Sequence, residues 1–276
     1  MAYARRPRAR RVSRRVNRRR YKRSYVKKRR YVRKRTTMTK RRVLNIASTK
    51  KRDNMISWDR TGTNNGFGAP SLEIGTTRFL FCATAREQVG LDLPSQRNSS
   101  TVFIKGYREN MTFITNNNNS WRWRRIMFRI KGFVANDSFL VTSAGYVRVW
   151  YPLTGTNMDV FEELIFEGTK NVDYQDPFAA KVDSTRVTVV SDKYRILASG
   201  NSASYIKHYP SYTPIEKNLV YDDDEDGDDL VSAPYSVNSK AGMGDLFIYD
   251  IFQDIGGVSP TSVNIRSSST LYWHEK

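Results

Sequence analysis

The sequence predicts an all-β chain: an antiparallel jelly-roll β-sandwich with one short helix and a disordered basic N-terminal arm. Three observations predict it. Charge divides the 276 residues into two unlike segments, strand-type segments fill most of the second, and one stretch there has helical spacing. Residues 1–52 hold 25 Lys and Arg and no carboxylate, the first being Asp53. Totals of 47 basic and 27 acidic residues leave 22 and 27 in 53–276, so the arm carries +25 and the body −5. Like charges at this density repel, and few apolar residues offset the entropy of ordering, so the arm reads as disordered.

The arm's clusters are Arg5–Arg6, Arg18–Arg19–Arg20, Lys27–Lys28–Arg29–Arg30, Arg33–Lys34–Arg35 and Lys40–Arg41–Arg42, with Tyr21, Tyr25 and Tyr31 between them. Guanidinium forks pair bidentately with phosphate and tyrosine rings stack on unpaired bases, so these residues are candidate nucleic-acid contacts. The same clusters fit nuclear import signals, which implies a host import receptor as a partner. The arm lacks the apolar stripe of a membrane-surface helix, and no apolar run reaches the roughly 18–20 residues that span a bilayer, so no membrane partner is expected. No secretory signal is expected either, and the single Cys82 fits a buried small hydrophobe in a reducing compartment.

Residues 53–75 read as an extended linker, with Asn64, Asn65, Gly66, Gly68 and Pro70 marking loop. Residues 76–276 read as the shell domain. Strand candidates are 77–85, 101–115, 122–134, 145–151, 185–190, 193–199, 204–209, 244–252 and 263–273, rich in β-branched and aromatic residues. The helix spans the region capped by Asn157, with Val160, Phe161, Leu164 and Ile165 on one side and Gly168 ending it. Such a chain fits a jelly roll, and periodicity leaves another β-barrel open. In WRWRRIMFRIK (121–131), alternation puts Ile126, Phe128 and Ile130 on a core face. It puts Trp123, Arg125, Met127, Arg129 and Lys131 on the other. Trp123, Arg125, Arg129 and Lys131 are therefore candidate nucleic-acid contacts. An ordinary solvated face, or arginines paired to a neighbouring subunit, fits equally well.

No catalytic constellation is visible, so no enzyme activity and no cofactor are expected. His208 and His274 are far apart in sequence, and neither has a partner at metal-ligand spacing. No phosphate-binding glycine loop or nucleophile elbow occurs. The acidic run Asp222–Asp229 partly fits a calcium loop, with Asp222, Asp224 and Asp226 at positions 1, 3 and 5 and Gly227 at 6. Ala233 stands where that loop needs Glu, which favours a solvated loop over a metal site.

The stretch Asp92–Asn110, DLPSQRNSSTVFIKGYREN, followed by WRWRRIMFRIKGF, resembles the capsid proteins of genomoviruses, the gemycircularvirus-type small circular single-stranded DNA viruses. The opening MAYARR, the arginine arm and KKRDNMISW (50–58) are similar to the same family. The resemblance is strongest over 44–134, and the layout is distantly similar to geminivirus coat proteins. It implies a jelly-roll subunit, a homo-oligomeric icosahedral shell of 60 copies in the simplest case, and a packaged single-stranded DNA genome. It also implies residence in the virion and, during infection, the host nucleus. The alternatives are a basic-tailed cellular nucleic-acid-binding protein, ribosomal or chromatin-associated, and a metal-dependent nuclease using Asp222–Asp229.

Overall fold

The computed structural model describes residues 38–61, 65–90, 93–198, 200, 204–256 and 262–276, almost all within the compact unit Arg41–Lys276. A helix, α1 (Lys40–Ala47), leads into β1 (Thr49–Asp59), two short strands β2 (Gly66–Phe67) and β3 (Ser71–Leu72), and β4 (Thr76–Cys82). The long strands β5 (Thr101–Thr115) and β6 (Trp121–Ile130) follow. Then come the short β7 (Val141–Thr142), β8 (Gly145–Tyr146) and β9 (Arg148–Trp150), and helix α2 (Gly155–Ile165). The chain continues through β10 (Thr188–Leu197), β11 (Tyr205–Val220), the hairpin β12 (Asp224–Asp226) and β13 (Asp229–Val231), β14 (Asp245–Asp254) and β15 (Val263–Glu275).

Two four-strand layers form the sandwich. One is ordered β11-β5-β15-β1 and the other β10-β6-β14-β4. Pairing is antiparallel between β1 and β15, β4 and β14, β5 and β11, and β6 and β10. The first long strand thus pairs with the last, the second with the next to last, and so inward. Such nesting is one long hairpin rolled over onto itself, and it makes this domain a jelly roll. The short β9 adds to the far side of β1 in parallel.

Between the layers lie Val102, Ile104, Tyr107, Met127, Ile248, Leu271 and Trp273, and towards the other end Phe113, Trp123, Phe252 and Ile265. The second layer is covered on its outer side as well. There Ile126, Phe128, Tyr249 and Ile251 pack against Phe161 and Ile165 of α2 and the segment that follows it. β14 is therefore buried from Asp245 through Phe252, which explains its unbroken apolar run DLFIYDIF.

Several expectations need correction. The segment from Asp53 onward is not all linker, because residues 49–59 form β1, paired along eight positions with β15. Charge disguised its alternation. Lys51, Asp53 and Met55 point inward and Lys50, Arg52, Asn54 and Ile56 outward. Lys51 Nζ reaches Glu275 and the Gln96 carbonyl at 3.1 Å each, and Asp53 pairs with Arg86 at 3.0 Å. A second helix, α1, lies within the expected arm, whose residues 1–37 fall outside the described residues. The N-cap of α2 is Thr154, so Asn157 lies inside the helix, and Gly168 turns the chain at φ +85° beyond its end. The two expected strands at 185–190 and 193–199 are one, broken in register between Val189 and Ser191. β11 runs far past residue 209 through Pro210 and Pro214. It tolerates both because it is an edge strand, where a missing N–H leaves no partner unpaired.

Candidate nucleic-acid interface

The sequence placed Trp123 and Arg125 on an accessible face of β6. Both are buried between the layers. Their side-chain face looks inward, and the Ile126–Phe128 face that was expected to be core is core too, under α2. Arg125 belongs to a closed ring with Glu109 of β5, Arg148 of β9 and Asp250 of β14. Its Nε and Nη2 donate to the two Asp250 oxygens at 2.7 and 2.9 Å, and its Nη1 donates to Glu109. Arg148 donates to Glu109 through Nε at 3.0 Å and to Asp250 through Nη2 at 2.8 Å. The Trp123 indole N–H gives Asp250 a fourth bond at 2.9 Å.

Burial alone would lower the Arg125 pKa, but the facing carboxylates of Asp250 and Glu109 hold it above its ordinary value. Burial alone would likewise raise Asp250, and Arg125 and Arg148 hold it below the usual carboxylate range. The arginines of WRWRR therefore neutralise carboxylates of their own chain. Arg124 does so as well, donating to Asp192 at 3.1 and 2.7 Å. Two candidates remain at the surface. Arg129 is partly buried and has no carboxylate partner among the described residues, its pKa lowered by desolvation. Lys131 Nζ caps the carbonyls of Ser239 and Ala241 at 2.6 and 2.8 Å. Arg42 is exposed on α1, and the clusters from Arg5 to Arg35 lie outside the described residues.

What the sequence missed is the outer face of the β11-β5-β15-β1 layer. The pairing registers put Lys50, His274 and Phe103 in one row across it, then Arg52, Tyr272 and Gly106, then Asn54, Thr270, Arg108 and Tyr212. Further along come Arg266, Thr112 and His208. Arg52, Arg108 and Arg266 are exposed and have no carboxylate partner among the described residues. Glu216, beside this face, is held by Lys105. Burial, together with the positive charges of Lys50 and Lys105, pushes the His274 pKa below its ordinary value, as a cationic surface requires. These residues come from separate stretches of sequence, Lys50 and Arg52 from β1, Arg108 from β5 and Arg266 from β15. Only the strand register brings them together.

The acidic run is also resolved into parts. Asp223 is turned inward, where Arg97 reaches its Oδ1 at 2.8 Å and also bonds its Oδ2. Asp224, Glu225, Asp226, Asp228 and Asp229 project from the exposed hairpin β12–β13. Among the described residues, no three His, Cys, Asp or Glu side chains converge as metal ligands would.

No known protein family matches the chain, and no curated protein does. Among solved structures it is similar to VP1 of Trichodysplasia spinulosa-associated polyomavirus, at 9% identity over 82% of this chain and 76% of that one, with a TM-score of 0.11. It is also similar to VP1 of the unassembled KI polyomavirus pentamer, at 8% identity over 82% and 76%, with a TM-score of 0.14. A third is the Merkel cell polyomavirus virus-like particle, at 11% identity over 82% of this chain and 60% of that one, with a TM-score of 0.12. At such scores these likenesses carry no weight, and the jelly-roll assignment stands on strand order.

Proposed function

We propose that this chain is a viral capsid protein that assembles into an icosahedral shell and packages circular single-stranded DNA, which its basic arm and its cationic sheet face both bind. The observation that carries the reading is the union, in one chain, of a jelly roll and a polycation of +25. The resemblance of residues 92–110 and 121–133 to genomovirus capsid proteins supports the same reading. The arm needs a rigid partner to turn its non-specific affinity into packaging. A sandwich whose charges are internally paired supplies one.

The magnitudes agree. Sixty arms would bring roughly 1,500 positive charges, enough to balance a genome on the order of 1.5–2.5 kilobases if small cations take part of the load. Phosphate contacts carry no base information, so packaging is largely independent of sequence. Many weak arms act together once the subunits assemble. The proposal includes entry into the host nucleus by way of the arm's basic clusters and an import receptor, and it assigns the chain no catalytic step.

The test is negative-stain imaging of the purified chain with and without circular single-stranded DNA, beside a variant lacking residues 1–35. The full chain should give closed particles that protect the DNA from nuclease. The truncated chain should fold but protect none. A chain that stays monomeric with DNA present would instead support a basic-tailed cellular protein.

A further inference from the structure

We infer that the outer face of the β11-β5-β15-β1 layer carries a base-stacking platform, built from Tyr212 and Tyr272 with Arg108 and Arg52 beside them, that takes unpaired nucleotides of a single strand. The inference rests on the proposed packaging function and names the ligand chemistry of its sheet face. Tyr212 of β11 and Tyr272 of β15 stand on two strands separated by β5, with ring centroids 6.5 Å apart at an interplanar angle of 67°. The residue between them is Gly106, paired directly across from Tyr272. A Cβ there would fall 2.6 Å from the Tyr212 hydroxyl and 2.8 Å from the Thr213 carbonyl, so glycine is what lets the Tyr212 ring lean over the strand. Tyr212 is 51% exposed.

An arginine on the adjoining strand lies beside each ring. Arg52 is the cross-strand partner of Tyr272, and Arg108 is the partner of Tyr212. Rings spaced along a flat sheet, with a guanidinium beside each, match the alternation of bases and phosphates in an extended strand. Among the described residues neither arginine pairs with a carboxylate, and Glu216 is engaged by Lys105. A duplex cannot use the rings, because its bases are stacked on one another inside the helix. The platform therefore favours single over double strands. The arm's lysines and arginines cannot supply that preference, since they meet both through phosphate.

The test compares full-length chain with the double variant Tyr212→Ala/Tyr272→Ala and the control Tyr212→Phe/Tyr272→Phe. Affinities for a fluorescent 12-nucleotide oligothymidylate and for a 12-base-pair duplex are measured at about 0.3 M salt, where the arm's contribution is weakened. A tenfold loss is about 1.4 kcal/mol, the lower end of the range for stacking of a single base. The alanine pair should lose roughly tenfold on the single strand and little on the duplex, and the phenylalanine pair should keep wild-type binding. Equal losses on both ligands, or none, would overturn the platform. Photocrosslinking of wild-type chain to bromodeoxyuridine oligonucleotides reads the same point without substitution. Adducts at Tyr212 or Tyr272 are expected, and their absence from both counts against it. Particle imaging separates the two readings. Selective loss without particles would sink the shell and keep the platform, whereas particles without selective loss would do the reverse.

Discussion

At the scale of single residues, the ring of Glu109, Arg125, Arg148 and Asp250 ties four strands from both layers together. Its charges balance, two against two, and Trp123 adds a further donor. Buried ion pairs of this kind contribute little over an apolar core of the same shape, but removing one partner strands the others. Arg148 is fully buried and also stacks over the rings of Trp150 and Phe81, at 3.9 and 4.5 Å. Arg148→Met keeps its bulk and removes its charge, leaving Glu109 and Asp250 with Arg125 alone. The variant should lose about 3–5 kcal/mol of unfolding free energy in urea denaturation. A loss below about 1 kcal/mol would show that the ring is not the lock between the layers. Nothing in the residues around Trp123 and Arg125 signals this cluster. Alternation separated the two faces of β6 correctly, but it cannot tell whether a face of tryptophan and arginine meets water or four matching charges from other strands.

At the scale of elements, legibility followed how self-contained each strand's signal was. β5, β14 and β15 stand out because apolar residues mark them along their length. β1 and β11 do not: the first hides its alternation in charges and the second carries two prolines that only its edge position permits. The links between elements are equally invisible in sequence. Asp245, which opens β14, accepts bonds from the Ser236 amide and hydroxyl at 2.9 and 2.7 Å and from Thr84 at 3.4 Å, tying the approach to β14 to the end of β4. Among the described residues no cation pairs with it. Burial pushes its pKa up to about 6, against the pull of those hydrogen bonds. Because the folded value exceeds the unfolded one of 3.8, the stability it contributes is present at pH values below that and is lost as pH rises through about 6. Asp245→Asn removes this titration. Between pH 4 and pH 7 the variant should gain about 2–3 kcal/mol relative to wild type, measured by denaturation at both values. A wild-type-to-variant difference that does not move with pH would rule the account out.

At the scale of the whole molecule, charge is partitioned twice. The first division is between arm and body and is visible in composition. The second lies inside the body and is not, because it depends on which strands pair. Of the 47 basic residues 20 fall in 1–40, so 41–276 holds 27 basic residues against 27 acidic ones and is formally neutral. Composition alone would deny that unit any affinity for a polyanion. The fold sends Lys50, Arg52, Arg108 and Arg266 to one face and the carboxylates of β12–β13 elsewhere, so a neutral chain keeps a cationic surface. A truncated chain starting at Arg41 retains β1 and should fold. It should also bind single-stranded DNA, more weakly than the full chain. Four phosphate contacts predict a slope of about −3 in log K against log salt. The full chain, with the arm's cations added, should show a slope several times steeper. Fluorescence anisotropy titrations across a salt series measure both. Binding lost altogether on truncation would place all of the affinity in the arm, and the sheet face would then be only a wall.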